Sequence, residues 1–491
     1  MGLARNPAAP VDVLLRLLET APDDIAGTLG RRPDLPPPVR DAMLRHLSPR
    51  IRGALAAHPR VDPQAREVLL ADPQWRVRIR AWGNRDQRPL SDEALTRLLA
   101  ELDDPPPPDV PFTREELLGE LFTSAAAGPR LRTLAAKHSR PGVRRYAAGF
   151  LTALDEPTRQ ALLTDETSEV RQVAADAVAY REQLMEPADL PDHRGHAYWT
   201  VLHRRLSRDL VDHVLAGGDV AAVGVLAANA STPPDVVEAL LRHPEPAVRR
   251  KVAERPDLTA GQLAALAADP AVEVRTTVSV HPGLTERQRA RIAIDVTTAD
   301  GDGCFGPAGG CHAYPYFRVL PAEVADSVRW ARSVNPLLRR RAAGDPRLPG
   351  DMVATLADDP DPGVRVLLAQ HHPASPPDLL LRCLLEYQGC GRERLAERPG
   401  FPTEGLGRFV DDLDPVLRRL VARDPAVDPA VVDRLTADPD PRVRKAMAGS
   451  PRLPVARIVA LLTDSELAES AAANPALPVE RMWRIAEEWR R

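Results

Sequence analysis

The side chains in this sequence best suited to chemistry are thiols and imidazoles, and they fall in three places. Cys304 and Cys311 stand seven positions apart with His312 directly after, and Cys383 and Cys390 repeat that spacing. Thiolate and imidazole are zinc ligands, and two neighbouring thiols can also close and open a disulfide. Neither pair has zinc-finger spacing. Asp192, His193, His196 and His203 form a third group, and their spacing matches no standard metal motif. No nucleophile elbow, P-loop, dinucleotide fingerprint or His-Glu-x-x-His helix is present. The sequence therefore offers no catalytic residue, cofactor or metal ligand set, and the expectation is a chain that is not an enzyme.

What would position these residues is a repeat. A branched aliphatic followed by Arg, then Ala, Pro and Leu or Val, recurs along the chain, as in Val443-Arg444 through Ala448, Pro451 and Leu453, and in Val248-Arg249 through Ala253, Pro256 and Leu258. Taking the first aliphatic as an anchor gives Ile25, Ile51, Val77, Val143, Val170, His196, Ala222, Val248, Val274, His312, Leu338, Val364, Gly391, Leu417, Val443 and Leu467. Most steps are 24–27 residues. A period of this size means a solenoid.

Each unit encodes two short helices. Val443 and Met447, four apart, share one face of the first. The proline eight residues past the anchor (Pro256, Pro282, Pro451) ends that helix, because proline lacks an N–H and disfavours helix in the preceding residue. Three residues later stands a capping residue, Asp62, Thr259, Thr285, Ser375 or Asp428, which opens the second helix. That helix carries a Val/Leu face, as in Val236, Val237, Leu240 and Leu241. Helices this short bury their apolar faces only by stacking on neighbours. The 51 prolines are then punctuation of ordered repeats.

The run Asp438-Pro439 through Val443-Arg444, Ala448, Pro451, Leu453 and Pro454 resembles the leucine-rich repeat variant (LRV) proteins, close kin of HEAT-like repeats. The resemblance covers most of the chain. It implies an all-α, right-handed α-solenoid, a superhelix of about sixteen two-helix repeats, and no catalytic residues. One relative type carries an N-terminal cysteine-rich iron–sulfur module; here no cysteine precedes Cys304. The expected organisation is 1–102 as N-terminal repeats with a cap, 103–112 as a Pro-rich linker, 113–299 as a middle block, 300–318 as an insertion, and 319–491 as C-terminal repeats with a cap.

Composition narrows the function classes. The formal net charge of −4 argues against a globally basic nucleic-acid binder. Only Lys137, Lys251 and Lys445 are lysines, so arginine supplies the remaining positive charge. The N-terminus lacks a signal-like apolar run and no stretch is apolar enough to span a bilayer. Four cysteines in 491 residues make no disulfide framework. The expectation is a soluble cytoplasmic chain with no membrane association.

Function on a repeat scaffold is expected where the rule breaks. Between Val77 and Val143 the surplus falls near Pro105 to Pro108, read as a stiff spacer. At His196 the unit reads His-Ala-Tyr-Trp in place of Val-Arg. Between Val274 and His312 lies a surplus of small residues, Asp300 to Cys311, followed by a second His-Ala-Tyr. Four of the chain's few aromatics, Phe305, Tyr314, Tyr316 and Phe317, crowd there, and aromatics on a small-residue loop suit a contact surface. The two Cys pairs lie three repeats apart, on the order of 25 Å at ordinary helix spacing, too far for one metal.

Arg52, Arg78, Arg144, Arg171, Arg249, Arg275, Arg339, Arg365, Arg392, Arg418 and Arg444 follow their anchors and would form a row. The reading favoured is structural, with pairing to Glu245, Asp361, Asp414 and Asp440, three residues before the anchors. The second basic residue of several copies, Arg145, Arg250, Arg340, Arg419 and Lys445, is then the better recognition candidate. The function expected is an interaction scaffold holding a protein or peptide on a concave solenoid face and the 300–317 insertion. Tyr314, Tyr316, Phe317, Phe305 and His312 would be the contacts, with Tyr198 and Trp199 second. The alternatives are a nucleic-acid-binding HEAT-like solenoid, extending to a DNA glycosylase, and a metal or redox sensor using Cys304 and Cys311.

Overall fold

The computed structural model describes residues 1–83, 91–102, 122, 128–296, 324–389 and 391–488. Contacts divide the chain into two compact units, Met1–Tyr180 with Thr403–Arg491, and Arg181–Pro402. The expected boundaries at 103–112 and 300–318 fall outside the described residues. Among those described, the regular secondary structure is helical apart from one short parallel pairing, Leu184 with Arg205 and Met185 with Leu206.

The unit around Val248 shows how the residues build a repeat. Its first helix, Pro246–Ala253, begins with proline, whose fixed φ and missing N–H suit a first turn. Val248, Val252 and Ala253 are buried on it. The second helix, Ala260–Ala267, opens with a capping box in which Thr259 and Gln262 satisfy each other's backbone N–H groups. Leu263 and Leu266 are buried on that helix, and Asp269-Pro270 leads to the next first helix, Val272–Ser279. The valines, leucines and alanines of successive copies merge into one continuous core in this unit, from Met185 to Leu284.

The anchors are core residues of their copies in both units. Ile25, Ile51, Val77, Val143, Val170, Ala222, Val248, Val274, Leu338, Val364, Leu417, Val443 and Leu467 are all buried. Each buried branched aliphatic stabilises by about 1.5–3 kcal/mol, and a repeat too short to hide its own anchor gains this only from its neighbours. His196 is the exception: it is exposed on helix His196–Leu202, and Leu202 fills the core there. Gly391 is half-buried with φ +78, a left-handed conformation that glycine adopts without strain, and it opens the short helix Arg392–Leu395.

Four of the five expected caps accept backbone N–H bonds: Asp62, Thr259, Thr285 and Asp428. Ser375 does not. Its hydroxyl donates to the carbonyls of Leu368 and His372, closing the end of the preceding helix. Pro376 and Pro377 already start the next helix without an N–H to cap.

Residues 1–20 are a further copy that the anchor pattern passes over. Asn6-Pro7-Ala8-Ala9-Pro10-Val11 repeats Asn474-Pro475-Ala476-Leu477-Pro478-Val479 nearly residue for residue. Helix Gly2–Arg5 packs against Ala468–Ala472, and Val11–Thr20 against Val479–Glu488, so the first copy stacks on the last.

Candidate functional site

The arginine row is the most regular polar feature of the described residues, and five of its members, Arg52, Arg144, Arg249, Arg339 and Arg418, are committed to stacking by one shared geometry. Arg249 donates through Nε and Nη2 to the two oxygens of Asp269 at 2.7 and 2.9 Å. Its remaining Nη1 donates to the carbonyls of His243 and Pro244 at 2.7 and 2.9 Å. The same fork joins Arg52 to Asp72, Arg144 to Asp165, Arg339 to Asp359 and Arg418 to Asp438. Each arginine thus reaches the loop before its helix and the carboxylate that closes the following one. The next arginine takes that same aspartate's carbonyl: Arg275 binds the carbonyl of Asp269, and Arg444 that of Asp438. Hydrogen bonding to the carboxylates raises Arg52, Arg144, Arg249 and Arg418 above the ordinary guanidinium range.

This corrects the expected pairing. The carboxylate lies twenty residues after its arginine, or twenty-one for Arg144 and Asp165, and five before the next anchor. Asp361, Asp414 and Asp440, three before their anchors, instead cap the first helices by accepting N–H bonds from Gly363, Val416 and Arg442. Glu245 makes no side-chain cap bond.

A second ladder, absent from the sequence reading, is carried by one polar residue in each of several copies, at the register seven positions past the anchor. It stands directly before a proline at Asn6, Arg32, Arg255, His281 and Asn474 and before Ala230 at Asn229. Asn229 donates to the carbonyls of Leu202 and Arg204. Arg255 donates to those of Ala227 and Asn229, and His281 Nε2 lies 2.8 Å from that of Arg255. In the other unit Asn474 bonds Ala448 and Ser450, Asn6 bonds Ala472 and Asn474, and Arg32 bonds Ala4 and Asn6. The signal was legible as a run of His-Pro, Asn-Pro, Arg-Pro and Ser-Pro pairs at one register. Four different side chains doing one job hid it.

Of the expected contact residues, Phe305, His312, Tyr314, Tyr316 and Phe317 lie outside the described residues, as do Cys304, Cys311 and Cys390. Tyr198 and Trp199 are described. They are half-buried, pack against the aliphatic core, and meet edge to face with ring centroids 5.1 Å apart. His203 Nδ1 lies 2.7 Å from the Trp199 carbonyl. Among the described residues no three His, Cys, Asp or Glu side chains gather as a metal site, so Asp192, His193, His196 and His203 are not brought together as one. Cys383 is buried in helix Pro377–Glu386, and burial pushes its thiol up to about 11. That is the inert state of a cysteine used as a small apolar residue.

The second basic residues divide. Arg145, Arg250 and Lys445 are exposed on their first helices. Arg340 is buried and binds Asp361 at 3.0 Å, so it belongs to the packing and not to a recognition surface. Among the described residues no helix is long and apolar enough to cross a membrane.

No protein-family model matches the sequence, and no curated protein matches it. Solved structures of the karyopherin Kap121p do. Kap121p bound to Ste12p matches at 14% identity and a TM-score of 0.22, over 98% of this chain and 55% of that one. Kap121p bound to the extreme C-terminus of the protein phosphatase Cdc14p matches at 13% identity and a TM-score of 0.20, again over 98% and 55%. The chain spans about half the length of the Kap121p chains it matches. At TM-scores this low the likeness carries no argument about this chain. Among the described residues the fold is an all-α solenoid of stacked short helices.

Proposed function

We propose that the chain is a non-catalytic interaction scaffold that holds a protein or peptide on the face formed by its first helices and on the segment 300–317. The observation that carries this reading is the engagement of Arg52, Arg144, Arg249, Arg339 and Arg418, five members of the arginine row, by carboxylates and carbonyls within the stack. A guanidinium that already holds a carboxylate and two carbonyls has no free donor edge for a phosphate, so these five arginines are withdrawn from the continuous phosphate track that the nucleic-acid reading needs. What the first helices offer to a partner is discrete: Arg145, Arg250 and Lys445 as exposed cations, and the Tyr198–Trp199 pair as half-exposed aromatic area. A few aromatic and arginine anchors supply most of the affinity of protein interfaces. Phe305, His312, Tyr314, Tyr316 and Phe317 are proposed as the principal contacts and Tyr198 and Trp199 as the secondary ones. A cytoplasmic setting and kinship with leucine-rich repeat variant proteins, on the motif at 438–454, belong to the same proposal.

The test is affinity capture from native lysate, with and without nuclease, using the wild type and a chain lacking 300–311. The expected result is a protein partner that survives nuclease and is lost with the deletion. Capture that depends on nucleic acid and ignores the deletion would overturn the proposal and return the nucleic-acid reading.

A further inference from the structure

Where the first copy stacks on the last, the packing leaves a cavity of about 680 Å³. Small-molecule sites span ~300–1,000 Å³ and are mostly apolar with a few placed polar groups. Here Leu3, Leu17 and Ile25 form one wall, and Val459, Leu462 and Ile485 the other. The polar groups come chiefly from helix Val479–Glu488, which turns Arg481 and Arg484 to the cavity one helical turn apart. These two guanidinium groups differ from the forked arginines of the row. The forked arginines of the row are saturated by carboxylates and carbonyls, yet the side chains of Arg481 and Arg484 bond to no described residue. Of the acids lining the cavity, Glu469 is engaged by Arg5 at 2.7 Å, which leaves Glu488 as the acid beside the pair.

We propose that this cavity binds a single-chain amphiphile with an anionic head, of the fatty-acid carboxylate class. Its hydrocarbon chain lies between the two aliphatic walls, and its carboxylate accepts hydrogen bonds from Arg481 and Arg484. The walls favour the chain by removing apolar surface from water. The half-buried Arg481 and exposed Arg484 place the head at the mouth, where it keeps part of its hydration. Because the walls come from opposite sides of the junction, the ligand also holds the first copy on the last. This site is separate from the contact residues of the proposed scaffold function.

The experiment is calorimetric titration of the full chain with laurate, below its micelle concentration, and with lauryl alcohol as the neutral match. The expected result is one saturable laurate site per chain, with the alcohol at least about tenfold weaker, since charge-assisted bonds to guanidinium are the stronger kind. The double variant R481Q/R484Q, a surface change that spares the core, is expected to weaken laurate about tenfold or more and leave the alcohol unchanged. Ala468→Phe, which fills the cavity from helix Ala468–Ala472, is expected to abolish both while circular dichroism shows the helices intact. Should Ala468→Phe unfold the chain, the R481Q/R484Q arm decides alone. Absence of saturable laurate binding overturns the proposal, as does equal affinity for acid and alcohol. So does laurate binding indifferent to R481Q/R484Q, or self-association through this face that laurate does not reverse.

Discussion

Arg249 and Arg250 are adjacent and both positive, yet the structure gives them opposite weights. Arg249 is 8% exposed and its partner Asp269 7%, so the pair is held in a water-poor place with every donor on the fork satisfied. Removing one member leaves the other charge buried without a partner, which costs ~3–5 kcal/mol in comparable sites. Arg249→Gln is therefore expected to lower the denaturation midpoint strongly, while Arg250→Gln stays within ~0.5 kcal/mol of wild type; urea titrations of the two variants side by side check this. Asp345 supplies the pH counterpart. It is fully buried and accepts from the Ser327 hydroxyl and the Arg347 side chain. Burial pushes its carboxyl up, but these bonds overcome that and hold it at about 2. The unfolded carboxyl titrates near ~3.9, so the stabilisation is complete above that value and is lost as the pH falls through about 2. Asp345→Asn should then differ most from wild type at neutral pH, and the gap should narrow steadily below about pH 4. A gap that stays constant from pH 6 to pH 3 would mean Asp345 is not held ionised by its partners.

At the scale of the element, the helices were legible because each signal is local. Proline at the first position, Thr or Asp at the cap and an apolar pair four apart are decided within one turn, and Pro246–Ala253 and Ala260–Ala267 form where those signals stand. Ser375 misled because a hydroxyl serves equally as a donor to the helix before it and as an acceptor for the helix after it, and the two prolines that follow removed the need for a cap. The arginine partners were misplaced for a different reason. Arg249 and Asp269 are separated by a whole second helix, and nothing between them records that the loops return to one another. The expected contact residues in 300–317 stay as the sequence reading has them, while Tyr198 and Trp199 prove to be partly packing material. Contacts between neighbouring helices are also where one glycine matters. The buried Arg340 lies flat over Gly363, the second residue of helix Pro362–His371, and a Cβ there would strike its guanidinium. Arg340 is fixed by its ion pair with Asp361 and has little room to move. Gly363→Ala, ordinarily favourable in a helix, is expected here to cost ~1–3 kcal/mol through overpacking, read as a lowered midpoint in urea. A stabilised Gly363→Ala would show that Arg340 is not held in place.

At the scale of the molecule, a solenoid is a sum of repeat stabilities and nearest-neighbour interfaces, and one interface in the unit Met1–Tyr180 with Thr403–Arg491 differs from the others in kind. Asn474 holds the carbonyls of Ala448 and Ser450 in the copy that precedes it along the chain. Asn6 makes the same pair of bonds to Ala472 and Asn474, across a junction that no peptide bond joins. Gly2 belongs to this junction too, since a Cβ on it would collide with the Glu469 carbonyl. Both asparagines are fully buried, so replacing either by alanine removes two donors from buried carbonyls, at roughly 1 kcal/mol per bond. The consequences should differ. In Asn474→Ala the two copies remain tethered, and the loss is spread over the cooperative stack. In Asn6→Ala the first copy is held only by the contacts that remain, so it should open locally while its neighbours stay folded. Hydrogen exchange is the measurement that separates these outcomes. Asn6→Ala is expected to raise exchange in residues 2–20 and 468–488 with little change in 246–284, whereas Asn474→Ala should not single out residues 2–20. Equal protection of residues 2–20 in the two variants would mean that this junction is as cooperative as any tethered one, and that stacking alone, without chain continuity, sets the strength of a repeat interface here.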